Sequence, residues 1–130
     1  MSQRSRKRNK ADQATVAPTH LHDIHRSLLE ALPHAVVLLC EDDRVSYANP
    51  AAESFFGLSL AVLRRQEISD LVTFGCPLLS LIDQVRRSGA SVNEYGVEVV
   101  IPRTEANHLV DVFGGTLPDD RGCVMLLLQQ

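Results

Sequence analysis

Hydrophobic and polar positions in the first half of the chain predict two strands followed by a short helix. The run from Ala35 to Cys40 is apolar throughout, and the three acidic residues 41–43 that follow it are typical of a turn. Residues 44–48 then alternate between polar and apolar side chains, as in a second strand. Asn49 is the predicted cap of the next helix, because its side-chain oxygen can accept from a free first-turn amide, and Pro50 has no amide to leave unpaired.

Three other segments repeat apolar residues at helical spacing. The segment from Leu21 to Ala31 predicts an amphipathic helix that stops before Pro33. Residues 60–71 predict one or two short helical turns. The segment from Pro77 to Ser88 predicts a longer helix, which ends at Gly89 because glycine readily takes the left-handed conformation that closes a helix.

The last third of the chain changes to strand-like alternation. Residues 94–101 have one apolar and one polar face, residues 109–116 predict a further strand, and the run from Cys123 to Leu128 is apolar on both faces. This order of elements predicts an α+β fold, in which a five-stranded antiparallel sheet carries helices on one face.

The other face of this sheet needs a cover. The strands predicted at residues 35–40 and 123–128 are apolar on both sides, whereas the helical layer can bury only one side. The amphipathic helix at residues 21–31 is the available cover, and we expect two copies of the chain to pair through this helix and these strands. The predicted interface consists of Leu21, Ile24, Leu28, Val37, Leu39, Leu126 and Leu128.

Composition and charge predict one domain with a charged leader. A chain of 130 residues with 45% hydrophobic residues can close one core, which we expect at residues 21–130. Five cations lie within the first ten residues, and residues 1–20 are predicted to be a disordered basic leader. Residues 11–130 have eight basic and sixteen acidic side chains, so they would repel a phosphate backbone, and nucleic acid is not an expected partner.

The cysteines and the apolar runs predict a cytoplasmic protein that does not contact a membrane. Cys40, Cys76 and Cys123 are odd in number and far apart, which fits free thiols in a reducing compartment better than a disulfide framework. The longest apolar runs are too short to cross a bilayer.

Candidate chemistry is sparse. His22 and His25 lie one helical turn apart, but no cysteine or carboxylate pair nearby completes a ligand set, so no metal site is predicted. No catalytic residues are predicted, because no nucleophile accompanies a base. Four apolar residues between the helices and the sheet could line a small pocket, although the same spacing is needed simply to bury the sheet, so packed core is favoured. These residues are Phe55, Leu78, Ile82 and Val97.

From about Leu21 to Gln130 the sequence resembles a PAS domain. Residues 49–56 carry the Asn-x-Ala-Ala-x-x-Phe-Phe pattern of many PAS domains. The segments Ala31–His34, Phe74–Leu79 and Val92–Tyr95 are similar to the N-terminal sensor domain of NtrB-type nitrogen-regulatory histidine kinases.

This resemblance implies a PAS fold and a homodimeric sensor domain that signals to a kinase core lying outside this sequence. The response regulator and the PII protein would act only through that core. Haem and flavin are not expected cofactors, because the helix at residues 77–88 has no histidine and Cys76 lies in Gly-Cys-Pro rather than in a flavin-type Asn-Cys-Arg-Phe motif. The alternative is a PAS receptor domain that binds a small molecule and is attached to another output, such as a transcription regulator or a cyclic-dinucleotide enzyme.

Overall fold

The computed structural model describes residues 24–130, apart from the side chain of Arg121. The chain divides into two units, Met1–Ala31 and Leu32–Gln130. In the first unit, residues 24–31 form a helix, α1, as the apolar spacing predicts for those positions. The predicted leader and Leu21 lie outside the described residues. In α1, the side chains of Ile24 and Leu28 are 40% and 63% exposed.

The second unit contains five strands and four helices within its described residues. The strands form one antiparallel sheet in the order β2-β1-β5-β4-β3, so β1 and β5 are neighbours near its centre. This is the predicted α+β architecture. In chain order the elements are β1 (Ala35–Leu39), β2 (Val45–Ala48), α2 (Pro50–Phe56), α3 (Leu60–Leu63), α4 (Ile68–Leu71), α5 (Pro77–Ser88), β3 (Val92–Ile101), β4 (Ala106–Leu117) and β5 (Asp120–Gln129).

The core lies between one face of this sheet and the helices. Helix α2 packs on β1 and β2, while α5 packs across β3, β4 and β5. Gly114 in β4 allows this close approach, since a Cβ at that position would lie 2.7 Å from the Leu81 side chain of α5. The buried face of α5 consists of Leu78, Leu81, Ile82 and Val85.

The side chain of Asn49 fixes the first helix of the second unit to the sheet. It is fully buried, and its oxygen accepts from the Ala52 amide at 3.0 Å, which is the predicted helix cap. The same oxygen accepts from the Val36 amide of β1 at 2.9 Å. The Asn49 Nδ2 donates to the His34 carbonyl at 3.0 Å. One side chain therefore forms hydrogen bonds with the backbone at the start of α2, in β1 and in the segment that precedes β1.

We expect Asn49→Ala to lower the free energy of unfolding by about 2–4 kcal/mol, because it leaves buried amide and carbonyl groups without partners. Ser59→Ala is the matched control. Ser59 caps α3 through a longer bond to the Val62 amide, 3.4 Å at an exposed site, and its loss should cost only about 0.5–1 kcal/mol. Urea denaturation of both variants measures the difference, and equal losses would contradict the central role of Asn49.

Candidate functional site

The sheet face that points away from α2–α5 is apolar across three adjacent strands. Successive residues of a strand point to opposite faces, and the register pairs Val36 with Leu127 and Leu38 with Met125. Of these side chains Val36 is buried and the others are half-buried, as is Phe113, which pairs with Leu127 from the other side. We call this surface the outer apolar face: Val36, Leu38, Phe113, Met125 and Leu127.

Four of the predicted interface residues are not on this face. Val37, Leu39, Leu126 and Leu128 are buried in the core against the helices, so the prediction that they form an intermolecular surface is wrong. The physical reason is the two-residue period of a strand. Where both faces of a strand are apolar, the sequence does not indicate whether its odd-numbered or its even-numbered residues point to the core. A prediction that is shifted by one residue assigns every side chain to the wrong face.

The four predicted pocket residues lie in the core. Leu78, Ile82 and Val97 pack there and are buried, as the preference for packed core expects. Phe55 is buried as well, but it also lines a groove of about 540 Å³ at the end of the sheet where the second unit begins and ends. Among residues 24–130, the groove is lined by Pro33, His34, Ala35, Ala51, Ser54, Phe55, His108, Leu128 and Gln130.

His108 is the residue of this groove that the sequence interpretation missed. Its ring lies 4.3 Å from the Phe55 ring, between centroids, and its Nε2 is buried with no hydrogen-bond partner among the described residues. Its position could have been found from the strand period, since His108 has the same parity as the inward-facing Val110 and Val112. At the groove mouth, the His34 Nε2 and Gln129 Nε2 atoms are 3.3 Å apart.

At the opposite end of the sheet, Arg86 joins α5 to the turn after β1 and to the beginning of β5. Its Nε donates to Asp43 at 2.9 Å, and its Nη1 donates to the Gly122 carbonyl at 2.7 Å. Its Nη2 donates to the Cys40 carbonyl. One guanidinium group thereby holds the turn between β1 and β2 and the beginning of β5. As a cation in the last turn of α5, Arg86 also complements the dipole of that helix.

The sequence and the fold of this chain are similar to those of known proteins. Residues 23–90 match the PAS domain family. The chain belongs to the PAS domain family. The solved PAS domain of nitrogen regulation protein NR(II) from Vibrio parahaemolyticus has the same fold, with a TM-score of 0.68 at 22% identity, over 82% of this chain and 97% of that one.

Two curated relatives carry the same name. The sensory histidine kinase/phosphatase NtrB of Rhizobium meliloti (strain 1021) is 40% identical over 119 residues, which cover 92% of this chain and 31% of that protein. NtrB of Rhizobium leguminosarum bv. phaseoli is 36% identical over 80% of this chain and 27% of that protein. This PAS domain therefore spans about a third or less of the relatives it matches. Within residues 24–130, no helix is both long and apolar enough to cross a membrane.

We expect Arg86→Ala to lower the free energy of unfolding of the PAS domain by about 1–3 kcal/mol, because three hydrogen bonds from a half-buried cation are lost together. Arg87→Ala is the matched control, since Arg87 is exposed and forms a surface ion pair with Asp83 in its own helix. Its loss should cost about 0.5 kcal/mol or less. Chemical denaturation compares the two, and a control that loses as much as Arg86→Ala would contradict the role assigned to Arg86.

Proposed function

We propose that this PAS domain is the sensor and dimerisation domain of a cytoplasmic, NtrB-type nitrogen-regulation histidine kinase. The observation that carries the proposal is the 40% identity to Rhizobium meliloti NtrB, which extends over 92% of this chain rather than over a short motif. The activity of the domain itself is conformational. Autophosphorylation, transfer to the response regulator and control by the PII protein belong to a kinase core.

The outer apolar face supports the dimer. Four of its five side chains, on β1, β5 and β4, are only half-buried, and completing the burial of one of them is worth about half of the 1.5–3 kcal/mol for a fully exposed side chain. In α1, Ile24 and Leu28 add exposed apolar surface of the kind that pairs between subunits. We therefore assign the interface to Ile24, Leu28 and the outer apolar face, in place of the core residues first predicted.

The position of β5 in the sheet supports the proposal that this strand transmits a conformational change from the dimer interface. This strand pairs with β1 on one side and β4 on the other, and its outward residues Met125 and Leu127 belong to the outer apolar face. Its last residue, Gln129, lies beside His34, through which the chain enters the second unit. A shift at the interface would therefore move the entry and the exit of the sheet together.

The groove at His108 favours a second candidate, a PAS receptor for a small molecule with a different output. A buried imidazole nitrogen without a partner costs free energy, and a ligand group hydrogen-bonded to it would recover that cost. Native mass spectrometry of the purified chain separates the candidates, since a retained small molecule supports the receptor and its loss in His108→Leu would place it in this groove.

The dimer assignment predicts that Leu127→Glu, and independently Ile24→Glu combined with Leu28→Glu, convert the dimer to a monomer because a charge is buried without a partner. Phe74→Glu is the control, since Phe74 is fully exposed on the loop before α5. Light scattering coupled to size exclusion gives the mass, and circular dichroism checks the fold. A folded Leu127→Glu variant that remains dimeric would refute the interface.

The kinase assignment predicts that this domain can replace the PAS segment of Rhizobium meliloti NtrB with regulated kinase activity retained. Incorporation of labelled phosphate from ATP measures autophosphorylation of the chimera. We expect activity within about threefold of the parent, and at least about a tenfold loss on Leu127→Glu if dimer geometry sets the rate. An inactive chimera that still dimerises would contradict the kinase assignment but leave the interface intact.

A further inference from the structure

Cys40, the first residue after β1, lies opposite Cys123 of β5 when the register of the two strands is continued by one residue. The register pairs Ala35 with Leu128 and continues one for one to Leu39 with Val124, so the next pair is Cys40 and Cys123. Both cysteines have the parity of the outer apolar face, and their side chains therefore point to the same side of the sheet.

The backbone bonds of Cys40 show which kind of pair this is. Its amide donates to the Arg44 carbonyl at 2.8 Å, and its carbonyl accepts from the Asp43 amide at 3.0 Å, so both groups point toward β2 and away from β5. Cys40 and Cys123 thus form a non-hydrogen-bonded pair, in which Cα atoms are typically about 4.5 Å apart. This separation lies within the range of about 4.4–6.8 Å found for disulfides.

The thiols can be reached by solvent. Both cysteines are partly exposed, and both line one open hollow on the surface, together with Glu41, Asp42 and Arg44. The third cysteine differs, since Cys76 is buried below the loop before α5, with its Sγ 3.8 Å from the Glu98 carbonyl oxygen. Among residues 24–130, no group of three metal-ligating side chains is placed to hold an ion, which separates this thiol pair from a metal site.

We infer that Cys40 and Cys123 form an intramolecular disulfide when the protein meets hydrogen peroxide or a related two-electron oxidant. The Cys40 thiolate attacks a peroxide oxygen, the O–O bond breaks, and a sulfenic acid forms as hydroxide leaves. The Cys123 thiolate then attacks the Cys40 sulfur, the S–S bond forms, and a second hydroxide leaves. With two protons from the thiols, one peroxide becomes two waters, and the two sulfurs together lose two electrons.

The disulfide would join the two segments that Arg86 already holds, the turn after β1 and the beginning of β5. Arg86 binds the Cys40 carbonyl and the carbonyl of Gly122, the residue before Cys123. These two segments are also in contact beside the thiols, since a Cβ at position 122 would overlap the Glu41 side chain. Because the reduced fold already brings the two strands together, the cross-link requires no rearrangement of the sheet.

The acidic side chains around the two thiols affect how the oxidation rate depends on pH. The hydrogen bond that the Cys123 thiol donates to Asp120 at 3.2 Å raises the pKa of Cys123, and Glu41 acts in the same direction. Asp42, Arg44 and Arg64 also line the hollow, so the two cations oppose the acidic groups only in part. A raised thiol pKa leaves less thiolate at neutral pH, so oxidation should be faster at pH 8.5 than at pH 7.

Peroxide treatment of the purified chain tests the inference. We expect the mass to fall by two hydrogens, the thiols titrated after denaturation to fall from three to one, and a peptide map to contain the Cys40–Cys123 link. Dithiothreitol should reverse the change, and Tm should be higher by about 5 °C or more in the oxidised form. Cys76→Ser should form the same link, whereas Cys40→Ser and Cys123→Ser should lack it.

Asp120→Asn tests the role of the carboxylate, because asparagine keeps an oxygen that can accept from the Gly122 amide, as Asp120 Oδ1 does. We expect disulfide formation at pH 7 to be at least about threefold faster in this variant. The inference would be overturned if peroxide only added oxygen atoms to the thiols without forming a Cys40–Cys123 link, or if it formed disulfides only between chains. Either result would leave the kinase assignment untouched, since that rests on the chimera.

Discussion

Two central strands that are apolar on both faces constrain the whole second unit. β1 and β5 lie side by side, and the helical layer buries only one set of their alternating residues, which includes Val37 and Leu126. The opposite set, with Leu38 and Met125, must be buried by something other than α2–α5. A monomeric enzyme could satisfy this need with further layers. In the proposed dimer, association with a second copy would bury this surface, and stability and signalling would then depend on the same side chains.

Strand β1 is held at both ends by side chains from other elements. At its start, Asn49 binds the Val36 amide and caps α2, while at its end Arg86 of α5 binds the Cys40 carbonyl. These polar contacts orient the two helices that cover the inner face, against which Val37 and Leu39 of β1 are buried. Two polar side chains therefore fix the relative positions of the elements around the core, whereas the free energy of folding comes mainly from the burial of aliphatic side chains.

The sequence predicted the order and type of every described element, because capping residues and changes of period are local signals. Asn49, Pro50 and Gly89 act where the pattern expects them. Strand ends were less predictable: β4 begins at Ala106 and β5 at Asp120, within polar segments whose pairing depends on a partner strand. The prediction of which residues of β1 and β5 face outward was wrong, because a run that is apolar on both faces does not indicate which alternate residues point to the core. Contacts between distant residues, such as Arg86 with Gly122, have no local signal at all.

The thiol pair and the outer apolar face lie on one continuous line of residues. Cys123, Met125 and Leu127 alternate along β5. Leu127 and Met125 pair with Val36 and Leu38 of β1, and Cys40 is the next residue of this parity, just beyond the end of β1. A disulfide at one end of this line would fix the spacing and twist of two strands whose outward side chains form the proposed dimer surface. Oxidation would then act on the subunit contact through the sheet itself, without a ligand in the groove at His108. The coupling requires only that β1 and β5 move together, and their shared ladder of hydrogen bonds already imposes that.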